Sequence, residues 1–155
     1  MNSARRGVPT EEMKQVAQDE GVSLDFIVRG VASGSIIIPK NNARPQKIKV
    51  AGIGRGLKTK VNVNIGTSTL HQDLDEEVSK AKVAVKHGAD TIMDLSDGGD
   101  LNLIRKTLLE AAPITFGTAP VYQAYWHGVE KFKNPLNITE DDFLDAFEKN
   151  ARDGV

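Results

Sequence analysis

The chain has 155 residues, 39% of them apolar, with 14 glycines and 20 Lys and Arg against 21 Asp and Glu. That length holds one ordinary core and that composition excludes a disordered chain, while the near-neutral charge lacks the basic excess of a nucleic-acid or anionic-membrane binder. The longest aliphatic run, Ile36-Ile37-Ile38, is far short of the roughly 20 residues of a membrane span. The opening MNSARRGVPTEEMK has no apolar core of a signal peptide, so a cytoplasmic location is expected. With no cysteine, the chain offers no disulfide, no thiolate nucleophile and no cluster ligand of its own.

Thr10 followed by Glu11 and Glu12 predicts a helix start, with Met13, Val16 and Ala17 on one face and Gly21 as the stop. Ser23 predicts the cap of a second helix carrying Leu24, Ile27, Val28 and Val31, ended by Gly34. Residues 39–57, rich in Pro, Gly and Asn, read as a long loop holding a short strand at 47–51.

From Lys58 the pattern changes. Val61, Val63 and Ile65 alternate with polar residues and predict a strand, and Gly66-Thr67-Ser68 a loop. A helix follows over 70–88, with Leu74, Val78, Ala81 and Val85 on one face, acids at its start and Gly88 at its end. Residues 89–95 predict a second strand, 96–99 a turn, and Leu101, Ile104 and Leu108 a helix. Residues 113–117 predict a third strand, followed by a short helix containing Trp126. Thr139-Glu140-Asp141-Asp142 resembles a capping box opening a last helix, with Phe143, Leu144 and Phe147 expected inward.

This is the rhythm of parallel βα units, about three of them. A closed (β/α)8 barrel needs eight, in about 250 residues. The expected fold is therefore α/β, a TIM-barrel type with its first three βα units, and the chain reads as a fragment. The expected division is residues 1–57 as N-terminal helices and loop and 58–155 as early barrel. The strands are expected to expose apolar surface that a closed barrel would bury, so the isolated chain should aggregate or stay molten.

Ligands of parallel α/β folds bind at the carboxyl ends of the strands. Asn64, Met93 and Tyr122 stand there, each 29 residues from the next. Each also has an ordinary reading, as a turn-satisfying amide, a core methionine and a surface aromatic. Asp94 and Asp97 flank the second strand end, and Asp97 reads more simply as a helix N-cap. The segment GIGRGLKTK (52–60) suggests a phosphate loop, but a strand rather than a helix follows its glycines, and Leu57 precedes Lys58 where a P-loop needs Gly. His71, His87 and His127 show no ligand spacing, and His87 suits the negative end of a helix dipole.

Four segments together, ARRG (4–7), TKVNVNIGTS (59–68), GADTIMDLS (88–96) and FGTAPVYQA (116–124), resemble the phosphomethylpyrimidine synthase (ThiC) family of thiamine biosynthesis, over nearly the whole chain. The resemblance implies a (β/α)8 barrel with a C-terminal cluster-binding extension. It implies a radical S-adenosylmethionine lyase that converts 5-aminoimidazole ribotide to hydroxymethylpyrimidine phosphate, releasing formate and carbon monoxide. In that family the 4Fe-4S cluster sits on a C-terminal Cys-x-x-Cys-x-x-x-x-Cys motif and a zinc on a His pair, both beyond the segments matched here. The substrate contacts that carry over are Asn64, Met93 and Tyr122. They offer an amide, a soft apolar wall and a ring with a polar tip. Catalytic residues are not assigned, and these residues are expected to bind no cofactor alone. The expected partner is the small ribotide, with no nucleic acid and no membrane, and the family suggests a homodimer.

The chain departs from the family pattern in three ways. NANIGNS becomes NVNIGTS at Val63 and Thr67, DLSTG becomes DLSDGG at Asp97, and WHGVEKFKNPLN (126–137) is longer and more basic. Two alternatives stay open beside the synthase. One is a paralogue making hydroxybenzimidazole from the same ribotide. The other is a fragment that binds the ribotide or a partner without chemistry.

Overall fold

The structure is a computed structural model that describes residues 1–44 and 46–155. Pro45, inside the loop expected over 39–57, lies outside the described residues. The chain opens on a single turn, α1 (Asn2–Arg5), which the ARRG segment did not suggest. In α2 (Glu11–Glu20) the Thr10 side chain accepts the Met13 N–H, and Gly21 ends the helix at φ 72°. Ser23 and Gly34 do the same for α3 (Leu24–Ser33). Met13, Val16, Ala17, Ile27 and Val31 form a first core with Ala4, Ile36, Ile48 and Val50.

The expected loop is bordered and crossed by short pairings. β1 (Ile36–Ile37) pairs antiparallel with β2 (Ile53–Gly54). The strand expected at 47–51 shrinks to one parallel bridge, Lys49 to Ile114. Its ladder stops because the Ala51 N–H donates to the Thr115 hydroxyl, 3.2 Å away, while Ile48 and Val50 turn into the first core.

The second half delivers the parallel layer. β3 (Asn62–Ile65), β4 (Thr91–Asp94) and β5 (Thr115–Thr118) pair parallel in that order, as expected for 59–65, 89–95 and 113–117. The intervening helices are α4 (Leu74–Lys86) and α5 (Leu101–Ala111), and α6 (Pro120–Phe132) and α7 (Glu140–Asp153) follow β5. Ile65, Ile92 and Phe116 pack on Ala81 and Ala84 of α4 and on Ile104, Leu108 and Leu109 of α5. The architecture is α/β.

Arg44 ties the two halves together. Buried at 8% exposure, it donates to the carbonyls of Leu109, Ala112 and Ile114 at 2.5, 2.5 and 2.7 Å. Those carbonyls lie where the end of α5 turns into the start of β5.

Several expectations need correction. α4 starts at residue 74, not 70, because Asp73 accepts the Glu76 N–H while Ser68 and His71 bridge each other. Asp100, not Asp97, caps α5, its Oδ1 accepting the N–H groups of Asn102 and Leu103. The helix holding Trp126 is 13 residues long rather than short. The Thr139–Asp142 capping box forms as read, yet Leu144 and Phe147 are 57% and 56% exposed and Phe143 is half-buried. Helix α7 buries Ala146 and Asn150 instead, because the surface facing it is polar.

Leu108 is fully buried between sheet and helices. Leu108→Ala should cost about 2–5 kcal/mol, read as a lower midpoint in urea unfolding.

Candidate functional site at the strand ends

Strand period decides which residues reach a ligand. Val63, Ile92 and Phe116 are neighbours in register, as are Ile65, Asp94 and Thr118, and these rows face the helices. The alternate rows, Asn62-Thr91-Thr115 and Asn64-Met93-Gly117, lie on the opposite face. That face is polar. Asn62 Nδ2 donates to Asn64 Oδ1 at 2.9 Å, and the Thr91 hydroxyl to Asn62 Oδ1 at 2.6 Å. The apolar surface expected on the strands does not lie on this face. Apolar surface gathers instead in a groove of about 550 Å³ at the outer edge of β3, lined by Val61, Val63, Val83 and Ala84.

The structure brings two of the three expected contacts together. Asn64 is exposed and half-buried Met93 is its partner in the next strand. Gly117 completes the row, and a Cβ there would stand 3.2 Å from the Met93 methyl. Tyr122 belongs to the first turn of α6 and is 43% exposed. Among the described residues no hydrogen bond joins the three side chains.

The loops above the sheet are fastened to one another. Gly66 donates its N–H to Glu77 of α4 at 2.8 Å, and Lys80 pairs with the other oxygen of that buried carboxylate. The Thr67 N–H donates to Ser96 Oγ, and its hydroxyl to the Gly98 carbonyl at 2.7 Å. Gly66 and Gly98 permit this approach, since a Cβ on either would lie 2.5 or 2.6 Å from backbone atoms of the facing loop. His71 pairs with Glu76, and His87 stands at the end of α4. Lys58, from the glycine-rich segment, is engaged by Glu20 and the Asp19 carbonyl.

A family model described as the radical SAM ThiC family matches residues 1–155. The chain belongs to that family. It is 48% identical over 153 residues to the phosphomethylpyrimidine synthase of Ignicoccus hospitalis, covering 98% of this chain and 35% of that protein. It is 46% identical over 155 residues to a phosphomethylpyrimidine synthase of Thermus thermophilus and 47% to one of Dehalococcoides mccartyi, covering all of this chain and 35% and 36% of theirs. The chain thus spans about a third of the length of the curated relatives it matches.

Within this ThiC-family chain, two departures from the expected motifs touch each other, because the Asp97 N–H donates to the Thr67 carbonyl at 3.1 Å. Behind the strand ends lies a buried polar cluster that the sequence reading missed. Arg105 of α5 donates to Asp153 of α7, to Gln123 of α6 and to Asn102. Asn150 of α7 donates to Gln123. Its signal was available as Asn102/Arg105 and Asn150/Asp153, polar pairs at helical spacing.

Asp94, at the end of β4, accepts the Ser96 N–H and hydroxyl at 3.0 and 2.5 Å. Burial nevertheless pushes its carboxyl above the ordinary 3.8, outweighing those bonds and the attraction of Arg105. An acid with a higher pKa folded than unfolded stabilises the fold fully below the unfolded value, and that stability is lost as pH rises through the folded value. Asp94→Asn keeps an acceptor for Ser96 without the charge. In the full-length protein its melting temperature should gain on that of the unsubstituted protein as pH rises from about 3 to 7; a constant difference would contradict the assignment.

Proposed function

We propose that these residues form the first βα units of a (β/α)8 barrel in a phosphomethylpyrimidine synthase, and that they supply one wall of its 5-aminoimidazole ribotide site. The observation that carries this reading is the row Asn64-Met93-Gly117 on the face of the sheet turned away from the helices, in a chain of the radical SAM ThiC family. On that face Asn64 presents an amide able both to donate and to accept. Met93 presents a polarisable apolar surface, its methyl lying over Gly117 where a side chain would crowd it. Tyr122 adds an aromatic face from the start of α6.

The reaction proposed for the whole protein converts the ribotide to hydroxymethylpyrimidine phosphate in the cytoplasm, with S-adenosylmethionine and a 4Fe-4S cluster. The residues present do not fit the inorganic groups. The chain has no cysteine, and among the described residues no three His, Asp or Glu side chains gather to hold a metal. Ligands for a cluster and for zinc are therefore assigned to other segments of the protein. The role of these residues is to bind and orient the ribotide.

In the full-length protein, Tyr122→Ala and Asn64→Ala should each weaken ribotide binding about tenfold, equivalent to about 1.4 kcal/mol, by isothermal calorimetry. Unchanged affinity in both would defeat the site. Residues 1–155 alone, reconstituted with iron and sulfide, should release no deoxyadenosine from S-adenosylmethionine. Product in that assay would mean that a cluster can form without thiolates from this chain.

A further inference from the structure

The buried cluster behind the strand ends has a geometry that packing alone does not require. Tyr122 sits in the connection from β5 to α6, and this connection lacks the usual local fastening. The N-cap of α6 is Ala119, which makes no side-chain cap bond, and Pro120 follows it. Both flanks of the connection are instead held by one residue of α7. The Thr118 hydroxyl donates to Asn150 Oδ1 at 2.9 Å, and Asn150 Nδ2 donates to Gln123 Oε1 at 2.8 Å. Arg105 donates to the same Gln123 oxygen at 2.7 Å, and Gln123 Nε2 donates to Asn102 at 3.2 Å. Gln123, Asn150 and Arg105 are 4%, 3% and 3% exposed, so water does not compete for these bonds.

Gln123 is the residue directly after Tyr122. We propose that Gln123, gripped by Arg105 and Asn150, is a positioning residue that sets the start of α6 and thereby aims Tyr122 at the ligand. The proposal rests on the reading of Tyr122 as a ribotide contact. It explains why α7 turns Asn150 inward and leaves Leu144 and Phe147 outside. A buried glutamine whose oxygen accepts two bonds and whose nitrogen donates a third has one allowed orientation, and its backbone is fixed with it.

The test compares ribotide affinity with thermal stability in the full-length protein. Gln123→Ala should weaken ribotide binding about tenfold, the scale expected of a contact held out of place. Gln123→Glu retains an acceptor for Arg105 and Asn150, loses only the long 3.2 Å donation to Asn102, and should return affinity to within about threefold. Thr118→Val, a milder loss of one hydroxyl at the other flank, should weaken binding in the same direction and serves if Gln123→Ala does not fold. Ile27→Ala, in the first core and away from β5 and α6, should lower the melting temperature with affinity unchanged. Equal losses of affinity in Ile27→Ala and Gln123→Ala would reduce Gln123 to ordinary packing and overturn the proposal, as would failure of Gln123→Glu to restore binding. Weakened binding in Tyr122→Ala with none in Gln123→Ala or Thr118→Val would overturn it while leaving the site intact. No effect in Tyr122→Ala would remove the site itself.

Discussion

Three parallel strands in register divide the residues they carry between two faces, and the rest of the molecule follows from which face receives helices. Val63, Ile92, Phe116 and Ile65 go to the helix side and make the larger core with α4 and α5. The same period of two places Asn62, Asn64, Thr91, Met93, Thr115 and Gly117 on the other side. A slip of one residue between β3 and β4 would exchange the faces, burying amides and exposing the core. Register is held from above as well as by the ladder, since Thr67 and Ser96 join the first two loops and glycines allow them to meet.

The N-terminal segment is attached to this layer by an unusual device. A guanidinium is costly to bury, and Arg44 is buried with carbonyls as its partners. The two terminal nitrogens of its rigid fork reach three carbonyls converging from a helix end and a strand start, as a lysine would not, while its buried Nε–H finds no partner among the described residues. Asn41 adds bonds to the carbonyls of Ala151 and Val155 at 2.6 and 2.7 Å. The loop over 39–57 is therefore anchored through polar groups at one end of the layer, while Ile48 and Val50 pack into the first core.

Polar burial also explains why a sound helical pattern misjudged α7. Phe143, Leu144 and Phe147 form an apolar stripe, and stripes normally turn inward. Here the facing surfaces of α5 and α6 present Arg105, Asn102 and Gln123. Leaving Arg105 without its acceptors would cost more than exposing Leu144 and Phe147, since an unpaired buried charge is among the most destabilising defects. The helix accordingly rotates so that Asn150 and Asp153 meet them.

The sequence by itself determined the elements with local causes. Thr10, Ser23 and Thr139 as caps, Gly21 and Gly34 as stops, and the three strands in parallel order were legible because capping chemistry and side-chain period act within a few residues. Asn64 and Met93 as neighbours were legible too, from equal spacing in successive βα units. Only tertiary structure decided which aspartate caps α5, which face of α7 is buried, that residues 47–51 give one bridge, and that the uncovered face of the sheet is polar. Each depends on a partner far along the chain: Thr67 for Asp97, Arg105 for Asp153, Thr115 for Ala51 and the register of β4 for Asn62. Local pattern records the period of an element, but what lies opposite it is set by packing.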